Sequence, residues 1–104
     1  MDAPLKESLA KVAQFYDQRK VGDVGSLGFR RSTDLTKLLV CLKRLLDEEI
    51  IHPDQSLFLD LGCADGRVNI LMGYLARASV GIELDEWTLE EYAPLRSALG
   101  EVLK

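Results

Sequence analysis

Apolar residues recur at two different periods along this chain, and the change of period marks its organisation. Near the start, Leu5, Leu9, Val12, Ala13 and Tyr16 repeat at helical spacing, with Lys6, Glu7, Lys11 and Gln14 on the other side. That pattern predicts an amphipathic helix of about four turns. It should fail near Gly22, because Gly22, Gly25 and Gly28 put backbone freedom into one short stretch that reads as a mobile loop. A second stripe follows in Leu35, Leu38, Leu39, Leu42, Leu45 and Leu46. Ser32, Thr33 and Asp34 precede it with side-chain oxygens suited to a helix N-cap. His52-Pro53-Asp54 closes this helix, since a residue before proline is pushed out of helical geometry.

Beyond residue 55 the pattern changes. Leu57 to Leu61 is apolar at nearly every position, as expected of a strand covered by helices on both faces. A helix from about Arg67 to Arg77 would put Val68, Leu71, Met72 and Leu75 on one face, and Val80 to Leu84 reads as a second strand. The order Thr88-Leu89-Glu90-Glu91 fits a capping box and predicts a last helix from about Thr88, which Pro94 must break or kink. The fold class is therefore α/β. Two N-terminal helices, over 1–55, precede a parallel βαβα unit over 56–104, in one domain spanning 1–104.

Composition narrows the classes. The 104 residues are 47% hydrophobic and 29% charged, ordinary for one domain with a real core. No apolar run approaches the ~20 residues a membrane helix needs, and the first residues lack the layout of a signal peptide. The expectation is a cytoplasmic protein with no membrane partner. Cys41 and Cys63 sit in different elements without metal-like spacing and read as free thiols. The net charge of −4 is uneven: residues 1–55 balance nine basic against nine acidic side chains, while 56–104 carry four against eight. An acidic half argues against a nucleic-acid surface there. Arg19, Lys20, Arg30 and Arg31 form the one basic cluster, which reads as a solvated loop. His52, the sole histidine, falls in a turn.

The chemistry concentrates in Asp60-Leu61-Gly62-Cys63-Ala64-Asp65-Gly66-Arg67, between the first predicted strand and its helix. Gly62 and Gly66 allow a sharp turn and a close backbone approach to a ligand, and Ala64 keeps the floor between them low. A dinucleotide fingerprint needs glycine at the first, third and sixth loop positions, where this chain has Gly62, Ala64 and Arg67. Asp60 and Asp65 would each oppose a diphosphate at the helix N-terminus by on the order of a few kcal/mol at intermediate dielectric. A cationic ligand suits these acids better.

Asp60 to Gly66 resembles the D-x-G-x-G-x-G loop of class I S-adenosylmethionine-dependent methyltransferases, with alanine in place of the middle glycine. Val80-Gly81-Ile82-Glu83 is similar to that family's second motif, where an acid after an apolar strand holds the ribose hydroxyls. The likeness covers about residues 56–88. It implies a Rossmann-like methyltransferase fold with S-adenosylmethionine as cofactor, bound by Asp60, Gly62, Cys63, Ala64, Gly66, Glu83 and Leu84. Asp60, Gly62 and Ala64 would lie near the methionine end, Glu83 on the ribose, and Leu84 beside the adenine. It also suggests that residues 22–33 fold over the cofactor, with Arg30 or Arg31 on its carboxylate. Cys63 reads as a small loop filler, Asp85 as solvated or as a cap of the next helix, and Trp87 as packing on the last helix. No metal site is expected.

Members of that family have about seven strands, and this chain has residues for two. The fold implied is therefore incomplete: a fragment, a truncation or a shortened relative, with no catalytic or acceptor residue to carry over. The other reading is a non-catalytic cofactor-binding or assembly module whose sheet a partner completes. Two strands leave unpaired edges, so a homodimer or larger oligomer through the exposed edge of the first strand is expected.

Overall fold

The computed structural model describes residues 1–19, 24–25, 28–29 and 33–104. Helix α1 runs Ala3–Asp17. Asp2 caps it by accepting from the Leu5 amide at 2.8 Å, and Pro4 sits in the first turn, where a missing N–H costs nothing. The helix stops before Gly22, with Gln18 as its last half-helical residue. Within the glycine-bearing stretch, β1 (Val24–Gly25) pairs antiparallel with β2 (Gly28–Phe29). The expectations for Gly22, Arg30 and Arg31 lie outside the described residues.

Helix α2 spans Leu35–Asp47 and is capped by Asp34, whose side chain accepts from Lys37 at 3.0 Å. Its leucine stripe packs inward as the spacing predicts: Leu35 and Leu42 are buried, and Leu38, Leu39, Leu45 and Leu46 lie against the core. The helix ends earlier than His52-Pro53. Glu49 turns left-handed at φ 57°, and the Ile50 amide reaches back to the Leu45 carbonyl while the Glu49 amide reaches Leu46. This paired return closes a helix from within and leaves His52 and Pro53 in the next turn.

Strand β3 (Leu57–Leu61) falls where the apolar run predicts, and it pairs in parallel with β4 (Ala78–Ile82), Leu57 opposite Ala78 through Leu61 opposite Ile82. Between them α3 is short, Arg67–Met72, and relaxes from Gly73 into tighter turns in which Tyr74 and Leu75 donate to Leu71 and Met72. The second strand begins and ends two residues earlier than its hydrophobicity suggests. Helices α4 (Glu86–Glu90) and α5 (Tyr92–Leu103) meet at Glu91. The capping box at Thr88 is not what starts this segment. Asp85, buried, accepts from the Trp87 and Thr88 amides and caps α4 instead. Pro94 sits in the first turn of α5, where its lack of a donor is tolerated, so the break precedes it.

Leu9, Val12, Phe15 and Tyr16 of α1 form the centre of the core, with Leu35 and Leu42 on one side and Leu71, Leu75 and Leu99 around them. Among the described residues the sheet is covered on one face only. Phe58 points toward this core, while Leu57, Leu59 and Leu61 point away from it and are exposed. The expectation of helices on both faces of the first strand therefore fails among the described residues. No helix there is long and apolar enough to cross a membrane.

Candidate functional site

The candidate residues meet at the C-terminal ends of β3 and β4, where parallel α/β units bind their ligands. The loop after β3 turns on three left-handed residues, Gly62 (φ 91°), Ala64 (φ 53°) and Gly66 (φ 83°). A side chain on Gly62 would meet nothing within 4 Å, so the backbone there faces open space. Gly66 is the opposite case: a Cβ would come within 2.5 Å of the Tyr92 ring, so this glycine is needed for packing as well as for its backbone angle. Ala64 takes, at some strain, the conformation that glycine takes freely.

Glu83 joins the two strand tips. One carboxylate oxygen accepts from the Ala64 amide at 2.8 Å, the other from the Asp85 amide at 2.9 Å. Four more loop amides are also engaged. Gly62 and Cys63 donate to the Ile82 carbonyl, Gly66 donates to Cys63, and Arg67 donates to the Asp65 carboxylate. A phosphate cradle needs its donors unengaged, so these five amides are not available to a diphosphate.

The acids divide into two kinds. Asp65, fully buried, is neutralised by Arg67, itself only 4% exposed, through contacts of 3.0–3.3 Å. Paired in this way, Asp65 does not repel a diphosphate as its sequence position suggests, and of the two loop acids only Asp60 does. Asp60 is half-buried, and no hydrogen bond or ion pair to its carboxylate occurs among the described residues. Cys63 fills the space beneath the loop, and its thiol is pushed up, first by burial and then by the Glu83 and Asp60 carboxylates. That suits a filler rather than a nucleophile. Leu84 is 83% exposed beyond the tip of β4, and Trp87 is 81% exposed rather than packed on the last helix.

Arg67 is the residue that sequence reasoning passed over. Its guanidinium donates to the carbonyls of Tyr16 at 3.0 Å, of Thr33 at 3.4 Å and of Arg19, besides its pairing with Asp65. The chain leaving α1 and the chain entering α2 are thus both tied to the loop beside the candidate site. A signal was present: an arginine in the first turn of a helix opposes the macrodipole and calls for a specific partner. The same guanidinium lies 5.5 Å from the Tyr16 ring centre, and the Tyr16 hydroxyl has no hydrogen-bond partner among the described residues. Burial, then the Asp65 carboxylate, pushes that hydroxyl up to about 12.

A separate groove of about 440 Å³ runs between α3, the start of β4 and α5, lined by Tyr74, Arg77, Tyr92 and Arg96 among others. None of the candidate site residues lines it. No group of three or more metal-ligating side chains occurs among the described residues. No family model, curated protein or solved structure matches this chain.

Proposed function

We propose that the chain binds S-adenosylmethionine at the tips of β3 and β4, as a class I methyltransferase or the cofactor-binding part of one. The observation that carries this reading is Asp60: a half-buried carboxylate, unpaired among the described residues, close in sequence to the open backbone of Gly62. A site of that kind favours a cationic ligand, and S-adenosylmethionine brings both an ammonium and a sulfonium. The loop's engaged amides support the same preference over a dinucleotide. On this reading the fold is an incomplete Rossmann-like one in a cytoplasmic protein. Gly62 and Ala64 lie along the methionine portion, Glu83 takes the ribose hydroxyls, and Leu84 flanks the adenine. In methyl transfer the cofactor supplies the leaving group, and the protein's part is to orient the two reactants.

A second reading is favoured by the half-covered sheet: the chain binds the cofactor without catalysing transfer and works as part of an assembly. Both readings share the ligand, so one experiment tests them together. Calorimetric titration should show S-adenosylhomocysteine and S-adenosylmethionine binding more tightly than NAD, with Glu83→Gln weakening the nucleoside by about 1.5–3 kcal/mol, the range for charged hydrogen bonds. Glutamine is chosen over alanine because Glu83 also holds the Ala64 and Asp85 amides. Equal or tighter NAD binding would overturn the assignment.

A further inference from the structure

The groove between α3, the start of β4 and α5 gathers unpaired positive charge within the acidic half of the chain. Residues 56–104 hold four basic side chains against eight acidic ones. Two of the four are already paired: Arg67 with Asp65, and Lys104 with Glu101 at 3.2 Å. The other two, Arg77 and Arg96, both line the groove and both are exposed. No ion pair to either occurs among the described residues. Nor does any carboxylate occur among the described residues that line the groove. Tyr74 and Tyr92 add two phenol groups, and the Tyr92 hydroxyl accepts from Arg96 at 3.3 Å. Ile70, Leu99 and Leu103 supply an apolar wall.

We propose that this groove binds a small phosphate monoester carried on an apolar or aromatic body. A guanidinium meets a phosphate through two parallel N–H donors, and two such groups match the nearly double negative charge of a monoester. Arginine side chains are long, so both guanidinium groups can turn to one anion within the groove. Its volume of about 440 Å³ is that of a small-molecule site and is more than a bare phosphate fills. An inorganic anion would use the arginines and leave the apolar wall wet. An uncharged apolar molecule would use the wall and leave both cations without a partner. A ligand with an anionic head and an apolar body uses both, and the tyrosine rings offer it aromatic contact. The proposal is independent of the cofactor reading: none of the strand-tip residues lines the groove, and its test contains no nucleoside.

Naphthyl phosphate serves as the probe, with naphthol as the same body uncharged and inorganic phosphate as the head alone. Calorimetric titration of the 104-residue chain should show naphthyl phosphate binding about tenfold or more tighter than either. Arg77→Gln and Arg96→Gln should each weaken it by about tenfold or more, because each removes charge-assisted hydrogen bonds. Both side chains are exposed, so the far-ultraviolet circular dichroism of the variants should match wild type. If Arg96→Gln disturbs the fold through Tyr92, Arg96→Lys takes its place, keeping the charge and losing the planar fork. Amide resonances that shift on titration should lie between Gly73 and Ser79 and between Tyr92 and Leu103. No binding at millimolar naphthyl phosphate would overturn the proposal. So would affinity no greater than that of naphthol or phosphate, shifts confined to other segments, or folded variants at both arginines that bind as wild type does.

Discussion

At the scale of single residues, the loop after β3 carries a cost that its sequence alone explains. Ala64 holds φ 53°, a left-handed angle that costs an alanine roughly 1–2 kcal/mol. Glycine would remove that strain while losing about 0.4–1 kcal/mol through a freer unfolded chain. Ala64→Gly should therefore stabilise the protein by about 0.5–1 kcal/mol in urea denaturation, reversing the usual sign of an alanine-to-glycine change. A loss of stability would mean the loop is not left-handed at this position. The glycine spacing made the turn legible in the sequence. What it did not disclose was that Gly62 faces open space while Gly66 is pressed against Tyr92, because Tyr92 lies 26 residues further along the chain.

At the scale of elements, the joint between α1 and α2 rests on Asp17. This last residue of α1 accepts from the Leu35 amide at 2.7 Å and the Thr36 amide at 3.0 Å, and also from the Thr36 hydroxyl. It thus shares with Asp34 the capping of α2. Burial alone would raise its carboxyl, but the hydrogen bonds from Thr36 and Leu35 outweigh it and hold the group below the ordinary aspartate value. A depressed folded value contributes stability above the unfolded aspartate pKa, lost as pH falls through the folded one. Asp17→Ala should cost about 1–2 kcal/mol at neutral pH, as a lost helix cap does. The gap between wild type and variant should close as the solution is acidified, which urea titrations at several pH values would read. A gap independent of pH would place the effect in packing instead. The polar run Ser32-Thr33-Asp34 pointed to a helix start, and Asp34 does cap it. The contribution of Asp17 comes from 18 residues earlier, beyond the reach of any local pattern.

At the scale of the whole molecule, Arg67 ties together segments that are far apart in sequence. It pairs with buried Asp65 and donates to carbonyls at the end of α1, at Arg19 and at Thr33. Removing one partner of a buried ion pair strands the other charge, at a cost of about 3–5 kcal/mol. For a domain whose total stability is of the usual ~5–15 kcal/mol, that is a large fraction. Arg67→Ala should lower the urea midpoint steeply, whereas Arg77→Ala, at an exposed position, should change it little. Similar midpoints for the two variants would show that the buried network does not hold the loop to the helices.

The sequence by itself determined the two long N-terminal helices, their buried stripes and the place of the first strand of the parallel pair. Periodicity is a local property, and it located the α1 and α2 stripes, the bounds of β3 and the glycine turn, because each depends on residues within one or two turns of chain. The meeting of Asp60, Gly62, Ala64 and Glu83 at two strand tips was legible too, since a parallel strand–helix–strand unit brings both C-terminal ends together. Only the tertiary structure decided which charges remain unpaired. Asp65 and Asp60 look alike in the sequence, yet Arg67 neutralises the first, and no ion pair to the second occurs among the described residues. Only the structure, too, decided that the leucines of β3 have a core on one side and none on the other. Apolar residues at successive positions specify burial on both faces, but they cannot specify what does the burying, because covering a sheet is a relation between surfaces rather than a property of a strand.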